Sequence, residues 1–364
     1  MNYCDKIHYG IYSIEKADFS EMVEGLLAQL PRERKMLRLV FFGAPSDNNQ
    51  YVERRGVLRE KMHACFGDNE PVLTYVSQPS LNGGLVLEAH MYSPDKDEVI
   101  AYKHLGDLPY VIITNDCGRF LFAGGFHGDV IRHGMEQQSK EVFRHVAEVM
   151  EKEGFPINSI VRQWNYIEQI TAFDGADQHY QILNNARSEY YAATTWENGY
   201  PAATGIGANL GGLLVDLDAA VFLKPECYAT PIDNKLQVAA HAYSDGVLEA
   251  AKSKKTTPKF ERAKSMTFDG RKIIYVSGTA AIRGEESLKG VGLERQLHTT
   301  MENIAELTGD APLKMLRVYL KDKSFYDEAA RLMKTYGPDI PISYMWADVC
   351  REELLIEIEG IAIK

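Results

Sequence analysis

The chain has 364 residues, a span of two or three ordinary domains at about 100–200 residues each. Hydrophobic residues make up 45% and charged residues 25%, which excludes a disordered or fibrous chain. With 40 Lys and Arg against 51 Asp and Glu, the formal charge is −11, which argues against a protein whose work is to hold nucleic acid. A small anionic substrate would need a local arginine or lysine working against that field.

No apolar run approaches the ~20 residues that cross a bilayer. The start, MNYCDKIHYG, lacks the basic end and apolar stretch of a signal peptide. Cys4, Cys65, Cys117, Cys227 and Cys350 are far apart with no CxxC pair, and the histidines show no HxxxH or HxH spacing. Neither a disulfide scaffold nor a metal site is indicated, and a reduced cytoplasmic protein without a cofactor is expected.

Taken in chain order, the elements repeat. MLRLVFFGAP reads as a strand, YVERRGVLREKMHACFG as a helix and VLTYVSQPSLNGGLVLEAHMY as a strand pair, forming a degenerate half-unit over residues 1–105. Residues 110–125 read as a strand entering a glycine turn, and residues 124–128 as a loop with His127 structural. A helix capped by Gly154, a strand over 157–170, a second helix YQILNNARSEYY and two strands over 200–223 complete a unit spanning 106–235. HAYSDGVLEAA reads as a bridging helix and the Lys- and Thr-rich residues 250–265 as a linker, which places the connection at 236–257.

The last unit, 258–364, follows the same order. RKIIYVSGTAAI is a strand entering a glycine turn. Leu293, Leu297, Met301 and Ile304 fall at helical spacing ahead of Gly309. A strand, a second helix, a strand containing Cys350 and a final alternating strand ELLIEIEGIAI complete it. The closest internal match aligns LLVDLDAAV with LLIEIEGIA, pairing Asp216 with Glu357 and Asp218 with Glu359.

On a strand, residues two apart share a face, so Glu357 and Glu359 point the same way. From spacing alone, the plainer reading is an amphipathic strand with a solvated acidic face. Arg187 reads most simply as an exposed helical ion-pair partner, Arg317 as a solvent-facing strand arginine, and Tyr166 and Tyr180 as core tyrosines with satisfied hydroxyls. Thr204-Gly205-Ile206-Gly207 permits close backbone approach, but no GK[ST] follows, so it is not a phosphate loop. There is no G-x-S-x-G elbow and no cysteine in a recognisable catalytic setting.

Two groups of motifs resemble known families. YVSGTA, ENI, VYLKD and IEIEGIA in the last unit resemble the YjgF-type superfamily, which includes enamine and imine deaminases. WNYIEQI, HYQILNNARSEYY and GYPAATGIGANLGG resemble the chorismatase family, whose members are built from YjgF-like units and cleave the enolpyruvyl ether of chorismate. The resemblance covers roughly residues 110–364. It implies an α+β fold of tandem YjgF-like (chorismate mutase-like) units, each a mixed sheet with two helices packed on one face, arranged as a pseudo-trimeric barrel.

The resemblance further implies Glu357 as general acid, Arg187 as the preferred carboxylate anchor and Arg317 as a second one. Tyr166 and Tyr180 would hydrogen-bond a ring hydroxyl or a carboxylate, with Thr204 and Gly205 close to the ligand. Ala263 and Cys350 would lie near the reacting ring, where chorismatases divide by product. Deaminases carry an arginine in a P-A-R-S stretch, whereas Pro201-Ala202-Ala203-Thr204 and Pro341-Ile342-Ser343-Tyr344 have none. The expectation is therefore a cofactor-independent chorismatase-like lyase or hydrolase, monomeric or homotrimeric, with a site between the middle and last units. It would bind a small anionic substrate and neither nucleic acid nor membrane. A deaminase and a non-catalytic carboxylate-binding protein of the same fold are the alternatives.

Overall fold

The computed structural model describes residues 1–242, 244 and 256–364. In the first unit, β1 (Ile7–Ile14), α1 (Phe19–Leu27), β2 (Lys35–Phe42), α2 (Asn48–Phe66), β3 (Val72–Val76) and β4 (Leu85–Tyr92) follow one another. The side chains of Asp18 and Asp47 accept the backbone N–H groups of Glu21 and Gln50 and so start the two helices. Strand β4 inserts between β1 and β2, while β3 runs parallel to β2, giving the order β1-β4-β2-β3.

The middle sheet repeats this core behind two added strands. Its elements are β5 (Val99–Leu105), β6 (Leu108–Thr114), β7 (Gly118–His127), α3 (Met135–Glu153), β8 (Ile160–Glu168), α4 (His179–Tyr191), β9 (Ala202–Ala208) and β10 (Leu213–Phe222). They are ordered β9-β8-β10-β7-β6-β5. The last sheet contains β11 (Cys227–Ile232), β12 (Ala263–Phe268), β13 (Arg271–Ala280), α5 (Leu293–Thr308), β14 (Leu313–Leu320), α6 (Tyr326–Met333), β15 (Ile342–Trp346) and β16 (Ile356–Ile363). Its order is β11-β12-β13-β16-β14-β15.

The first piece thus holds a complete strand–helix–strand–helix–strand–strand core and lacks only the leading edge strands of the other two sheets. Two strands lie across the boundaries drawn from sequence: β5 belongs to the middle sheet and β11 to the last. Strand β12 begins inside the stretch expected to be linker, residues 250–255 of which fall outside the described residues. The bridging helix expected over 241–251 also falls almost wholly outside them, apart from a short 3-10 turn at Ala240–Ala242. The loop expected at 124–128 is instead the end of β7. Its register slips opposite Asp216, so Gly124 and Gly125 form a bulge and His127 closes the strand.

Each helix pair covers one face of its sheet. In β16, Ile356, Ile358 and Ala362 pack with Leu297 and Met301 of α5 and Leu332 of α6. Alternation therefore turns Glu357 and Glu359 to the other face. The helix-free faces of the three sheets meet one another. Phe42, Trp164, Tyr166 and Tyr319 share one apolar cluster, and Tyr92, Phe120, Tyr275 and Ile361 another. Burying such a side chain contributes about 1.5–3 kcal/mol.

The three hydrogen-bonded ladders remain separate, and side chains close them around each other. Arg38 on β2 pairs with Asp218 on β10 at 2.6 Å. Arg162 on β8 pairs with Glu359 on β16. Arg317 on β14 pairs with Glu88 on β4 at 2.5 Å, completing the cycle. Bridges between Ala202 and Glu261 and between Ser80 and Met345 join sheet edges at two of the seams. Among the described residues, no helix is long and apolar enough to cross a membrane.

Arg38 also donates to the carbonyls of Ala123 and Leu217 at 2.9 and 2.7 Å. Arg38→Met strands Asp218 without its counter-ion and should cost about 3–5 kcal/mol, read as a lower urea midpoint. An unchanged midpoint would contradict the closing role of this pair.

Candidate active site

A cavity of about 770 Å3 opens where the edge of the middle sheet meets the last sheet. The middle unit supplies Ala203 and Gly205 from β9 and Tyr180 and Gln181 from α4. The last unit supplies Arg262, Gly278, Cys350, Arg351 and Glu357.

Glu357 and Glu359 share a face of β16 but meet different surroundings. Glu359 accepts hydrogen bonds from Arg162, from the Thr204 hydroxyl, from Arg317 Nη1 at 2.6 Å and from the Tyr319 hydroxyl at 2.7 Å. Burial alone would raise its pKa, but Arg317 and Arg162, with the two hydroxyls, hold it below the ordinary carboxylate range. Glu357 is only 5% exposed, lines the cavity and accepts no hydrogen bond from any described residue. Burial first, and the Glu359 charge second, push it up to about 8 against the lowering pull of Arg262 and Arg162. That favours the protonated acid at neutral pH, on the wall of the cavity. Gly278 makes the space, since a Cβ there would run into the Glu357 carboxyl and the Thr204 methyl.

Two guanidinium groups stand on the cavity wall. Arg262 donates from Nε and Nη2 to the Val238 carbonyl at 3.3 and 2.9 Å. Arg351 donates from Nη1 to the Glu285 carbonyl at 3.0 Å and to Ser287 Oγ at 2.9 Å. Strand β9 presents its outer edge to the same space. The Ala203 N–H reaches Ser277 Oγ at 2.9 Å and the Gly207 N–H reaches the Asp348 carbonyl at 2.8 Å. Alternation turns the Gly205 N–H to the same side, between those two anchors. Burial pushes the Cys350 thiol up to about 12, so it stays protonated beside Glu357.

Of the residues singled out in the sequence, Glu357, Tyr180, Gly205 and Cys350 line this cavity. Cys350 does so from the loop between β15 and β16, rather than from a strand. Thr204 lies directly behind Gly278, accepting its N–H at 3.0 Å. Tyr166 and Arg317 are placed elsewhere: Arg317 is buried between Glu88 and Glu359 and also donates to the Tyr166 hydroxyl at 2.9 Å. Arg187 is 2% exposed and does not line the cavity. It lies on the buried face of α4 with Leu183 and Tyr191, bonded to Asn184 Oδ1 at 2.6 Å with its Nε unpartnered. Ala263 packs into the core under α5, and strand alternation gives the cavity position to its neighbour Arg262.

Arg262 and Arg351 were not among the sequence candidates. Arg262 sits in the stretch read as linker, and Arg351 directly follows Cys350. Their adjacency to two singled-out small residues was the available signal.

The repeat places Glu88 and Asp216 at the positions equivalent to Glu357. Neither is bare. Glu88 accepts Arg317 Nε at 3.0 Å and Nη2 at 2.5 Å, together with the Ser343 hydroxyl. Asp216 accepts the Thr74 hydroxyl at 2.8 Å and the Gly125 N–H at 2.7 Å, with Arg38 Nε at 3.7 Å.

Residues 96–219 match a family model described as chorismatase FkbO/Hyg5-like, N-terminal. A 3-hydroxybenzoate synthase of Streptomyces hygroscopicus is 27% identical, over 80% of this chain and 91% of that protein. A chorismatase of Streptomyces rapamycinicus is 26% identical over 57% of this chain and 64% of its own length. A crystal structure of a chorismatase superposes with a TM-score of 0.72 and 19% identity, covering 98% of each chain. By sequence in its middle unit, and by fold over nearly its whole length, this chain is chorismatase-like.

Proposed function

We propose that this protein cleaves the enolpyruvyl ether of chorismate and releases pyruvate, with Glu357 as the general acid. The observation that carries the reading is a buried carboxyl that accepts no hydrogen bond from any described residue, in a cavity flanked by Arg262 and Arg351, where burial pushes its pKa up to about 8. Relatives named chorismatase and 3-hydroxybenzoate synthase support the choice of substrate. The substrate has two carboxylates, and a chain of charge −11 needs local cations to hold them. Arg262 and Arg351, which line the cavity, are assigned this role in place of the buried Arg187.

In the proposed reaction, the methylene carbon of the enol ether takes the Glu357 proton, the double-bond electron pair forming the new C–H bond. The adjoining ether carbon becomes an oxocarbenium ion, and the Glu357 carboxylate now stabilises it. Water, or the substrate's own hydroxyl, adds to that carbon. The proton released on addition restores the acid. Where water adds, the bond from this carbon to the ring ether oxygen breaks, that oxygen takes the hemiketal proton, and pyruvate leaves with a dihydroxycyclohexadiene carboxylate. Where the ring hydroxyl adds, its own ring C–O bond breaks as the neighbouring ring C–H loses its proton and the ring becomes aromatic; that oxygen becomes the pyruvate carbonyl, and the ether oxygen takes the proton to leave as the phenol of a hydroxybenzoate. The ring leaves as a dihydroxycyclohexadiene carboxylate or a hydroxybenzoate, and the relative named 3-hydroxybenzoate synthase favours the latter. The Gly205 N–H, Tyr180 and the neutral Cys350 thiol face the ligand. The setting is a reducing cytoplasm, in keeping with five free cysteines.

Incubation with chorismate should yield pyruvate, detected by a coupled dehydrogenase, with chromatography identifying the ring product. Absence of pyruvate would contradict the reading, ammonia from imino acids would favour the deaminase, and binding without turnover a carrier. Glu357→Gln should keep binding while kcat falls by about 10²–10⁴; near-normal turnover would contradict its role. The acid works only when protonated, so kcat/KM should hold at lower pH and fall as pH rises through about 8. Activity that instead rises through that range would exclude Glu357 as the acid. Arg262→Met and Arg351→Met should each raise KM by about ten- to a hundredfold, the loss of a charge-assisted pair, and an unchanged KM would contradict carboxylate binding.

A further inference from the structure

The three equivalent carboxylate positions differ in their hydrogen-bond donors. In the first two, the carboxylate at the Glu357-equivalent position is itself held: Glu88 takes Arg317 and Ser343, and Asp216 takes Thr74 and Gly125, while Arg38 and Tyr275 hold Asp218, the Glu359 equivalent. In the third, Glu357 receives none from any described residue, and the donors converge on the carboxylate two residues further along β16. Those donors come from β8, β9 and β14, so both units bordering the cavity contribute. We infer that Glu359 is a positioning residue: locked as an anion by Arg162, Arg317, Thr204 and Tyr319, it sets a fixed negative charge beside Glu357 that holds the acid in its protonated form.

The inference rests on the reading of Glu357 as an acid and names what maintains it. Side chains two apart on a strand face are separated by about 6.5–7 Å. At that distance a unit charge in a partly screened interior shifts a neighbouring carboxyl by about one to two pKa units. The other groups facing Glu357 are identifiable. Arg262 precedes β12, Arg162 reaches in from β8, and Tyr319 is its register partner on β14. Cys350 and Arg351 come from the preceding loop, and Glu285, Glu286, Glu352, Glu353 and Lys289 line the same cavity. Arg162 and Arg262 oppose the effect of Glu359, so removing Arg162 and removing Glu359 must act with opposite sign.

The test is a direct titration of the Glu357 carboxyl by difference infrared spectroscopy, its band assigned with Glu357→Gln, alongside the basic limb of the pH–rate profile. Glu359→Gln should lower the midpoint by about one unit or more. Arg162→Met, which leaves Glu359 held by Arg317, Thr204 and Tyr319, should raise it. Urea midpoints establish that the variants are folded; the nearly isosteric Glu359→Gln decides the inference, and Arg162→Met checks the opposing sign. An unmoved midpoint in Glu359→Gln, or shifts of the same sign in both variants, would overturn the inference. The carboxyl titration needs no turnover. A failure to release pyruvate from chorismate would therefore be a separate result, bearing on the substrate and not on Glu359.

Discussion

Each of the three sheets lends one buried arginine to a carboxylate of the next, and the last lends one back to the first. Taking such charges out of water costs several kcal/mol per ion, and the cost is offset only when geometry and hydrogen bonding are nearly complete. Arg38, Arg162 and Arg317 therefore fix how the units face one another far more tightly than the surrounding apolar contacts, which tolerate sliding. The cavity between β9 and β13 is one consequence of that frame. Its walls belong to different units, and the Arg162–Glu359 pair clamps them together directly behind it.

The same frame produces an imbalance of charge. Five buried carboxyl groups (Glu88, Asp216, Asp218, Glu357 and Glu359) face four buried arginines (Arg38, Arg162, Arg262 and Arg317). Not all five can ionise in that interior, and burial raises Asp216 and Asp218 as well as Glu357. What separates Glu357 from the others is access. Asp216 and Asp218 are closed in by Thr74, Gly125, Arg38 and Tyr275, whereas Glu357 borders an open space. A protonated carboxyl there can deliver its proton to a ligand, and the charge left behind faces the cation that the transfer creates.

Much of this was legible in the sequence because strand alternation leaves a period-two trace. The match of LLVDLDAAV to LLIEIEGIA exposed the repeat and put Glu357 and Glu359 on one face. What covers that face was not legible, since it is made by sheets distant in sequence, and spacing alone would have left both carboxylates in water. Arg187 shows the same limit on a helix: the sequence gives its neighbours at i±4 but not which face of α4 meets the other unit. Ala263 and Arg262 differ by one strand position, so a one-residue choice exchanged a core position for the cavity wall. The two glycines at 124 and 125 look like a loop in sequence and prove to be a bulge, because a bulge and a turn draw on the same residue type.

Transfer of the Glu357 proton to carbon is the central step of the proposed reaction, and a single-turnover comparison in light and heavy water tests it most directly. With enzyme in excess over chorismate, product release cannot mask the chemical step. The account predicts distinctly slower cleavage in heavy water, since the transferred proton is in flight at the barrier. Equal single-turnover rates in the two solvents would contradict it.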